Sequence, residues 1–314
     1  MRYQAHAMRD DGEYLHIGFQ AGELAKVGLI HNMVPALSLL MAAGIGKEFL
    51  HKDVVDAARE SALRVLTQGS LHYGGGRAGV EACCNQDYAR IWAKLLLQKY
   101  FLDDRFEQQV QEDLDYMVDH FHISGVPDED CDGTKRALLG KDQLLLEPAE
   151  YYGLMIVPLC IGYELFGREK WLHAAVRLCN HVVRSSFLDE ENCRRVHRAY
   201  YAKSDGSWGR LTQPMQIQGN GLTLYGISCC ARLTGNRELE KFLAEMEQGI
   251  AHYQTKRGFL RAATGWDTEA DVVPATAWQA HDFFLLCPSA GTDSGRVLGP
   301  IFCPSERMHN SAVQ

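Results

Sequence analysis

Side chains that can transfer protons stand near the beginning of one predicted helix and within another. Glu81 and Asp87 flank the start of the first helix, and His281 and Asp282 lie in the second. A carboxyl group can protonate a substrate hydroxyl, and a histidine beside a carboxylate can take the proton back, since histidine titrates near neutrality. We therefore expect these four residues to be catalytic. Two alternatives stay open: the carboxylates only favour the positive end of a helix dipole, or the His–Asp pair is a structural hydrogen bond.

Aromatic, amide and basic side chains occur in the same loops and helical turns, and they are the candidates for binding a substrate. Gln216, Gln218 and Asn220 alternate in a segment that leads into a helix, so an extended chain would place three amides on one side. Such amides orient a ligand by hydrogen bonds, or they cap their own loop. Tyr151 and Tyr152 are adjacent, and we expect at most one of them to face a ligand. The full set is His72, Tyr73, Arg77, Asn85, Tyr88, Tyr151, Tyr152, Trp208, Gln216, Gln218, Asn220 and Trp278.

The elements that must position these residues are helices in consecutive pairs. Apolar residues recur at helical spacing, and strand-like alternation is almost absent. Gly167 and Gly235 occupy turns at the position where a helix ends in a left-handed residue, and a third turn follows Tyr100. The predicted helices are 19–30, 33–44, 51–67, 82–100, 104–121, 149–166, 169–187, 219–234, 237–253 and 274–287.

The first helix of a pair is apolar on nearly all sides, whereas the second is apolar on one face only. An inner ring of buried helices inside an outer ring of amphipathic helices accounts for this contrast. We therefore predict an all-α fold, an α/α toroid of helical hairpins, in which the number of hairpins stays open. The prediction is a single domain over 1–314, with an irregular segment at 1–18, polar loops at 122–146 and 188–218, and a C-terminal tail at 288–314.

Composition and charge exclude several classes of function. The chain has 314 residues and a net charge of −8 without a basic stripe, which argues against a nucleic-acid partner. No apolar run reaches the ~18 residues of a membrane span, and the N-terminus lacks the apolar core of a signal peptide. The ten cysteines show no metal-binding spacing and are interpreted as reduced thiols. We expect a cytoplasmic protein that uses no metal or cofactor and binds a small-molecule substrate; the oligomeric state stays open.

One hairpin and two short segments resemble known enzymes. The hairpin Tyr163–Val182 resembles those of the α/α-toroid enzymes, which include six-hairpin glycosidases, polysaccharide lyases, class II terpene cyclases and linalool dehydratase-isomerase. Ser204–Gly209 is similar to the Asp-Gly-Ser-Trp part of the repeats in triterpene-type cyclases. Gly79–Tyr88 is similar to the cysteine–glutamate segment of linalool dehydratase-isomerase. The resemblance implies an enzyme whose site lies in the central cavity of the toroid.

Three functions compete on these observations. The leading hypothesis is a cofactor-independent enzyme that cyclises, dehydrates or isomerises a small apolar substrate, terpenoid or polyketide-like, by acid/base or pericyclic chemistry. In it, Glu81 protonates the substrate and Asp87 or His281 takes the proton back. The first alternative is a carbohydrate-active toroid, either a glycoside hydrolase or a uronate lyase, which would use a carboxylate pair or a Tyr/His pair. The second alternative is a non-catalytic helical scaffold.

Overall fold

Helices dominate the computed structural model of this protein, which describes residues 5, 6, 8, 10, 12, 14, 29–68, 84–124, 132–134, 146–211, 215, 216, 220–253, 263 and 264. Within these residues there are eight α-helices in four consecutive pairs. Their bounds are α1 Leu29–Gly46, α2 Lys52–Thr67, α3 Cys84–Phe101, α4 Glu107–Phe121, α5 Tyr152–Phe166, α6 Glu169–Arg184, α7 Asn220–Thr234 and α8 Arg237–His252. None of the described helices has both the length and the apolar character that crossing a membrane requires.

The helical periodicity predicted these elements within a few residues. The largest difference is at α1, which begins at Leu29 rather than at 33. The predicted helices at 19–30 and 274–287 lie wholly or mostly outside the described residues, as does the tail at 288–314. From the segment 1–18, the structure describes a helical turn at Ala5 and His6 and a β-bridge between Met8 and Tyr14.

Three of the four turns within the helix pairs contain a left-handed residue, and two of these residues are the predicted glycines. Gly167 has φ +69° and Gly235 has φ +64°. Leu102 adopts the same conformation with φ +55°, which is unusual for a leucine because its Cβ approaches the following carbonyl. The N–H groups of Leu102 and Asp103 bond back to Gln98 and Leu97 at 3.1 and 3.3 Å, so this turn closes its helix as a glycine would.

Short antiparallel strand pairs form parts of the connections between helices, and no alternation in the sequence predicts them. The pairs are β1 His122–Ser124 with β2 Asp132–Thr134, β3 Ser186–Leu188 with β4 Arg194–Val196, β5 Ala199–Ala202 with β6 Trp208–Leu211, and β7 Met215–Gln216 with β8 Ala263–Thr264. Strands of two to four residues are too short to show alternation. Much of the predicted loop at 188–218 is therefore ordered as hairpins.

The segment similar to a cyclase repeat is the tip of one of these hairpins. Asp205 accepts hydrogen bonds from the backbone N–H and the hydroxyl of Ser207 at 2.9 and 2.7 Å. Gly206 has φ +81°, a conformation that only glycine adopts without strain. Turn chemistry between β5 and β6 thus accounts for the Asp-Gly-Ser sequence.

The chain divides into two compact units. Unit 1 comprises 1–121 and 161–171, and unit 2 comprises 122–160 and 172–314. In unit 1, α3 is buried over nearly its whole length, whereas α4 buries only Val110, Asp113, Leu114 and Met117. In unit 2, α7 buries most of its residues and α8 buries one face. The predicted contrast between the first and the second helix of a pair is therefore confirmed in both units.

Candidate active site

A buried glutamate stands at the beginning of α5 in unit 2. Glu150 lies in a 3₁₀ turn, Ala149–Tyr151, which leads directly into the helix. The chain before the turn runs beside β5, because the Leu146 N–H donates to the Tyr200 carbonyl at 2.9 Å and the Ala149 N–H donates to the Arg198 carbonyl at 2.7 Å. The turn that presents Glu150 is thus fixed to a hairpin.

The Glu150 carboxylate contacts a guanidinium that is only partly buried. Arg198 Nε donates to Glu150 Oε1 at 3.4 Å, and the side chains are 32% and 1% exposed, respectively. The arginine and the positive end of α5 both stabilise negative charge on this carboxylate. Glu147 is buried to the same extent three residues earlier. A buried carboxylate with a cation beside it, close to a second buried carboxyl group in the sequence, has the residue types of an acid/base site.

The hairpin β5–β6 supplies aromatic and basic groups to the same region of unit 2. Trp208 is half-buried and packs against a core of Leu146 and Tyr200. The Arg210 guanidinium lies 5.8 Å from the centre of the Tyr200 ring. On the other face, the Tyr201 ring lies so close to Gly209 that a Cβ there would come within 2.2 Å of it.

Contacts between aromatic rings connect α5, α6 and the hairpin β5–β6 in unit 2. Tyr152 is 1% exposed and stacks on His181 with ring centres 5.0 Å apart. His181 meets Tyr200 edge-on at 5.4 Å. Tyr151 is half-buried, so of the two predicted tyrosines it is the more accessible. His197 stacks on Phe187 at 4.5 Å, and burial with the nearby Arg210 lowers its pKa below the ordinary value.

The predicted amides fall at the beginning of α7 or just before it. Asn220 is the first residue of the helix and is 8% exposed. Gln216 lies in β7 opposite Ala263 of β8, and only its backbone is described. Gln218 lies outside the described residues. The lead-in strand agrees with an extended segment, and the common orientation of the three amides stays a prediction.

In unit 1, Asp87 begins α3 and belongs to a buried charge network. Arg90 Nη2 lies 3.5 Å from Asp87 Oδ1 and 3.8 Å from Asp113 Oδ2. Lys94, one turn further along α3, lies 5.1 Å from the centre of the Phe106 ring. Burial and the Arg90 charge lower the pKa of Lys94 to about 8, against the opposing effect of the two aspartates. Asp113 is 2% exposed, although it lies in a helix with many charged residues, whose sequence does not indicate that it is buried.

The other described candidates of unit 1 are buried beside Asp87 on α3. Asn85 is 5% exposed and Tyr88 is fully buried, which raises the pKa of its hydroxyl well above the ordinary value. A groove of about 530 Å³ in the same unit is lined by charged and amide side chains, including Gln111 and Arg168. No predicted site residue lines it. The candidates His72, Tyr73, Arg77, Glu81, Trp278, His281 and Asp282 lie outside the described residues.

The sequence did not indicate the importance of three residues, Arg198, Arg90 and Thr223, which contact the candidate carboxylates or the backbone beside them. Arg198 and Arg90 sit in charged segments where nothing distinguishes them from surface arginines. Thr223 interrupts the apolar run of α7, and a hydroxyl on a buried helix is the one signal that points to a specific partner. Within the described residues no cluster of acidic, histidine or cysteine side chains could hold a metal ion.

No family model matches this chain, and no curated protein matches it. Several solved structures, however, have a similar fold. A family 76 glycoside hydrolase from a bovine Bacteroides thetaiotaomicron strain has a TM-score of 0.59 at 12% identity, covering 77% of this chain and 54% of its own. An inactive variant of the α-1,6-mannanase GH76A of Salegentibacter sp. HEL1_6, in complex with α-1,6-mannotriose, has a TM-score of 0.63 at 13% identity over 91% and 83%. An unsaturated glucuronyl hydrolase specific for heparin has a TM-score of 0.54 at 10% identity, and the match covers 71% of this chain and 57% of that one.

The fold is an α/α toroid. The prediction of an all-α chain with this architecture is therefore confirmed. These three neighbours are hydrolases of glycans, and none of them is a terpene cyclase. At identities of 10 to 13% the similarity establishes the fold and leaves the reaction to be argued from the side chains.

Proposed function

We propose that this protein is a glycoside hydrolase that cleaves an oligosaccharide without a cofactor. This is the first alternative of the sequence analysis, and it replaces the terpenoid substrate as the leading hypothesis. The observation that carries it is the buried Glu150 carboxylate against the partly exposed Arg198 guanidinium, in a fold shared with glycosidases. The reaction class changes accordingly from lyase or isomerase to hydrolase.

Glycoside hydrolysis needs one carboxyl group that gives a proton to the leaving oxygen and one carboxylate that acts as base or nucleophile. Glu150 suits the second role, because Arg198 and the helix start favour its ionised form. Glu147, which is buried three residues earlier in the chain, is proposed for the first role. Water adds across the broken C–O bond, its proton passing to the base, so no oxidant or cofactor is consumed.

The sequence-predicted catalytic residues remain proposals beside this pair. Of Glu81, Asp87, His281 and Asp282, only Asp87 lies within the described residues. Its carboxylate is paired with Arg90, which suits a base or a nucleophile rather than a proton donor. Asp87 is therefore to be substituted in parallel with Glu150, and each acid is judged on its own result.

Sugar binding would use the half-buried Trp208 as an apolar platform and Asn220 as a hydrogen-bonding group. The apolar inner helices, which motivated the terpenoid hypothesis, have another explanation. Leu154, Met155 and Ile156 are at most 1% exposed, so they pack the core of unit 2 rather than line an open site. We also propose a cytoplasmic location, because the six described cysteines are thiols rather than disulfides.

The test is release of reducing ends from a panel containing α-1,6-mannooligosaccharides and unsaturated uronyl oligosaccharides. On the substrate that turns over, we expect Glu150→Gln to lower kcat about 100-fold or more. Glu164→Gln is the matched control, because Glu164 lies at the other end of α5 and pairs with Lys99 at 2.6 Å. Full activity of Glu150→Gln, or turnover of apolar alcohols with no glycan cleaved, would contradict the proposal.

A further inference from the structure

The helical turn that carries Glu150 has no capping side chain of its own. Pro148 precedes it and makes no side-chain hydrogen bond to the turn. The first N–H groups of a helix have no partner within the helix, so they need acceptors from elsewhere. Here the acceptor for one of these N–H groups, that of Gly153, comes from another helix of unit 2, α7.

Thr223 of α7 supplies that partner, and it does so twice. Its Oγ1 accepts a hydrogen bond from the Gly153 N–H at 3.2 Å and donates one to the Ala149 carbonyl at 2.6 Å. The two bonded positions lie on either side of Glu150 in the chain. Thr223 is 2% exposed, so water does not readily replace these bonds.

The backbone around Glu150 is held from a second side as well. The Ala149 N–H donates to the Arg198 carbonyl, so both polar groups of that residue are used. The two helices approach so closely that a Cβ on Gly153 would lie 2.1 Å from the Leu222 carbonyl oxygen. Helices this close leave no space for a side chain between them at Gly153.

We propose that Thr223 is a positioning residue for catalysis, which holds the Glu150 carboxylate in the geometry that the reaction needs. The inference rests on the proposed function, because it gives Glu150 the role of base or nucleophile. A carboxylate displaced by about 1 Å can lose about 100-fold in rate even when the substituted residue never touches the substrate. The hydroxyl, rather than the size of the side chain, is the part of Thr223 that matters.

Two substitutions separate the hydroxyl from the volume. Thr223→Val keeps the shape and removes both hydrogen bonds, whereas Thr223→Ser keeps the hydroxyl and removes a methyl group. Thr234→Val is the matched control on the same helix, because Thr234 Oγ1 bonds only within the helix, to Cys230 and Ala231 carbonyls. We expect Thr223→Val to lower kcat about 10- to 100-fold with KM little changed. Thr223→Ser and Thr234→Val should keep kcat within about threefold of the wild type.

Amide hydrogen exchange at Gly153 reports on the turn without any substrate. We expect exchange there to accelerate about tenfold in Thr223→Val and to stay unchanged in Thr223→Ser and Thr234→Val. A threonine with only a structural role would lower the melting temperature of Thr223→Val and leave kcat per folded molecule unchanged, and that result would overturn the proposal. Unchanged exchange at Gly153 in Thr223→Val would also overturn it. Full activity of Glu150→Gln would instead refute the proposed function, while the exchange result would still decide whether Thr223 holds the turn.

Discussion

Asp87 in unit 1 and Glu150 in unit 2 are both buried carboxylates at the beginning of a helix, and their surroundings differ. Asp87 belongs to a network of two acidic and two basic side chains, together with Asp113, Arg90 and Lys94. All four side chains are nearly inaccessible to solvent. Glu150 pairs with Arg198, whose side chain is about one-third exposed.

The difference shows two ways of burying a charge. In unit 1, Arg90 lies between Asp87 of α3 and Asp113 of α4, so removing one partner would leave a buried charge uncompensated. In unit 2 the arginine side chain is about one-third exposed, so a polar ligand has access to it and the pair is better suited to chemistry. A buried carboxylate alone does not identify a catalytic residue; the exposure of its partner separates the two cases.

The largest effect on stability is expected from removing Asp113. The substitution Asp113→Ala leaves Arg90 buried with one partner fewer, and breaking such a pair costs about 3–5 kcal/mol. Urea unfolding measures the change. Asp119→Ala is the control, because Asp119 is 53% exposed and pairs with Lys170 at the surface, where a salt bridge contributes about 0–1 kcal/mol. Equal losses in the two variants would show that the network contributes no more than a surface pair.

The pH dependence of unit 1 follows from Lys94. Its pKa is about 8 in the folded protein, below the ordinary 10.5, so the unfolded chain binds more protons between these values. The free energy of unfolding therefore rises with pH across this window, by up to about 3 kcal/mol. Lys94→Met should remove the rise, which denaturant titrations at pH 7.5 to 9.5 would detect. A slope identical to that of the wild type would exclude Lys94 as its source.

Close packing in unit 2 predicts a smaller but clear effect at Gly153. A Cβ there would collide with the Leu222 backbone, which cannot move as a flexible side chain does. We expect Gly153→Ala to lower stability by about 1–3 kcal/mol and to lower activity as well, because the collision lies beside Glu150. Thermal unfolding and kcat measure the two effects. A variant with wild-type stability and activity would show that the turn adapts, and would weaken the rigidity assigned to this region.

The smallest effect is expected outside both regions, at Leu102. Its φ of +55° is strained, and its side chain is 88% exposed, so it gains little from packing. Leu102→Gly should raise stability by about 0.5–1 kcal/mol and leave activity unchanged. The reverse substitution at a matching turn, Gly167→Leu, should lower stability by a similar amount. A loss of stability in Leu102→Gly would mean that the leucine makes a contact that compensates for the strain.

Local sequence signals predicted the helices well, but they did not predict contacts between residues that are far apart in the chain. Apolar spacing placed α5 and α6 within a few residues, and Gly167 marked the turn between them, since both depend on neighbours in the chain. Glu150 meets Arg198 across 48 residues and Gly153 meets Thr223 across 70.

The candidate site was only partly predictable for the same reason. Asp87 and Asn220 were recognised as residues at helix starts, but residue type and position do not reveal which partner a buried group will have. The short strands were missed because each has too few residues for alternation, and their pairing is set by turns such as the one at Asp205. The reaction class also depends on such pairings, so residue types alone did not distinguish a terpenoid substrate from a glycan.

The most direct test of the account is a crystal structure of Glu150→Gln with a bound oligosaccharide from the panel that the wild-type protein cleaves. We expect a glycosidic oxygen or anomeric carbon within about 3–3.5 Å of the residue 150 side chain, with a sugar hydroxyl or carboxylate bound to Arg198. Sugar bound away from both residues, with the Glu150–Arg198 pair unchanged beneath it, would contradict the assignment of this region as the active site.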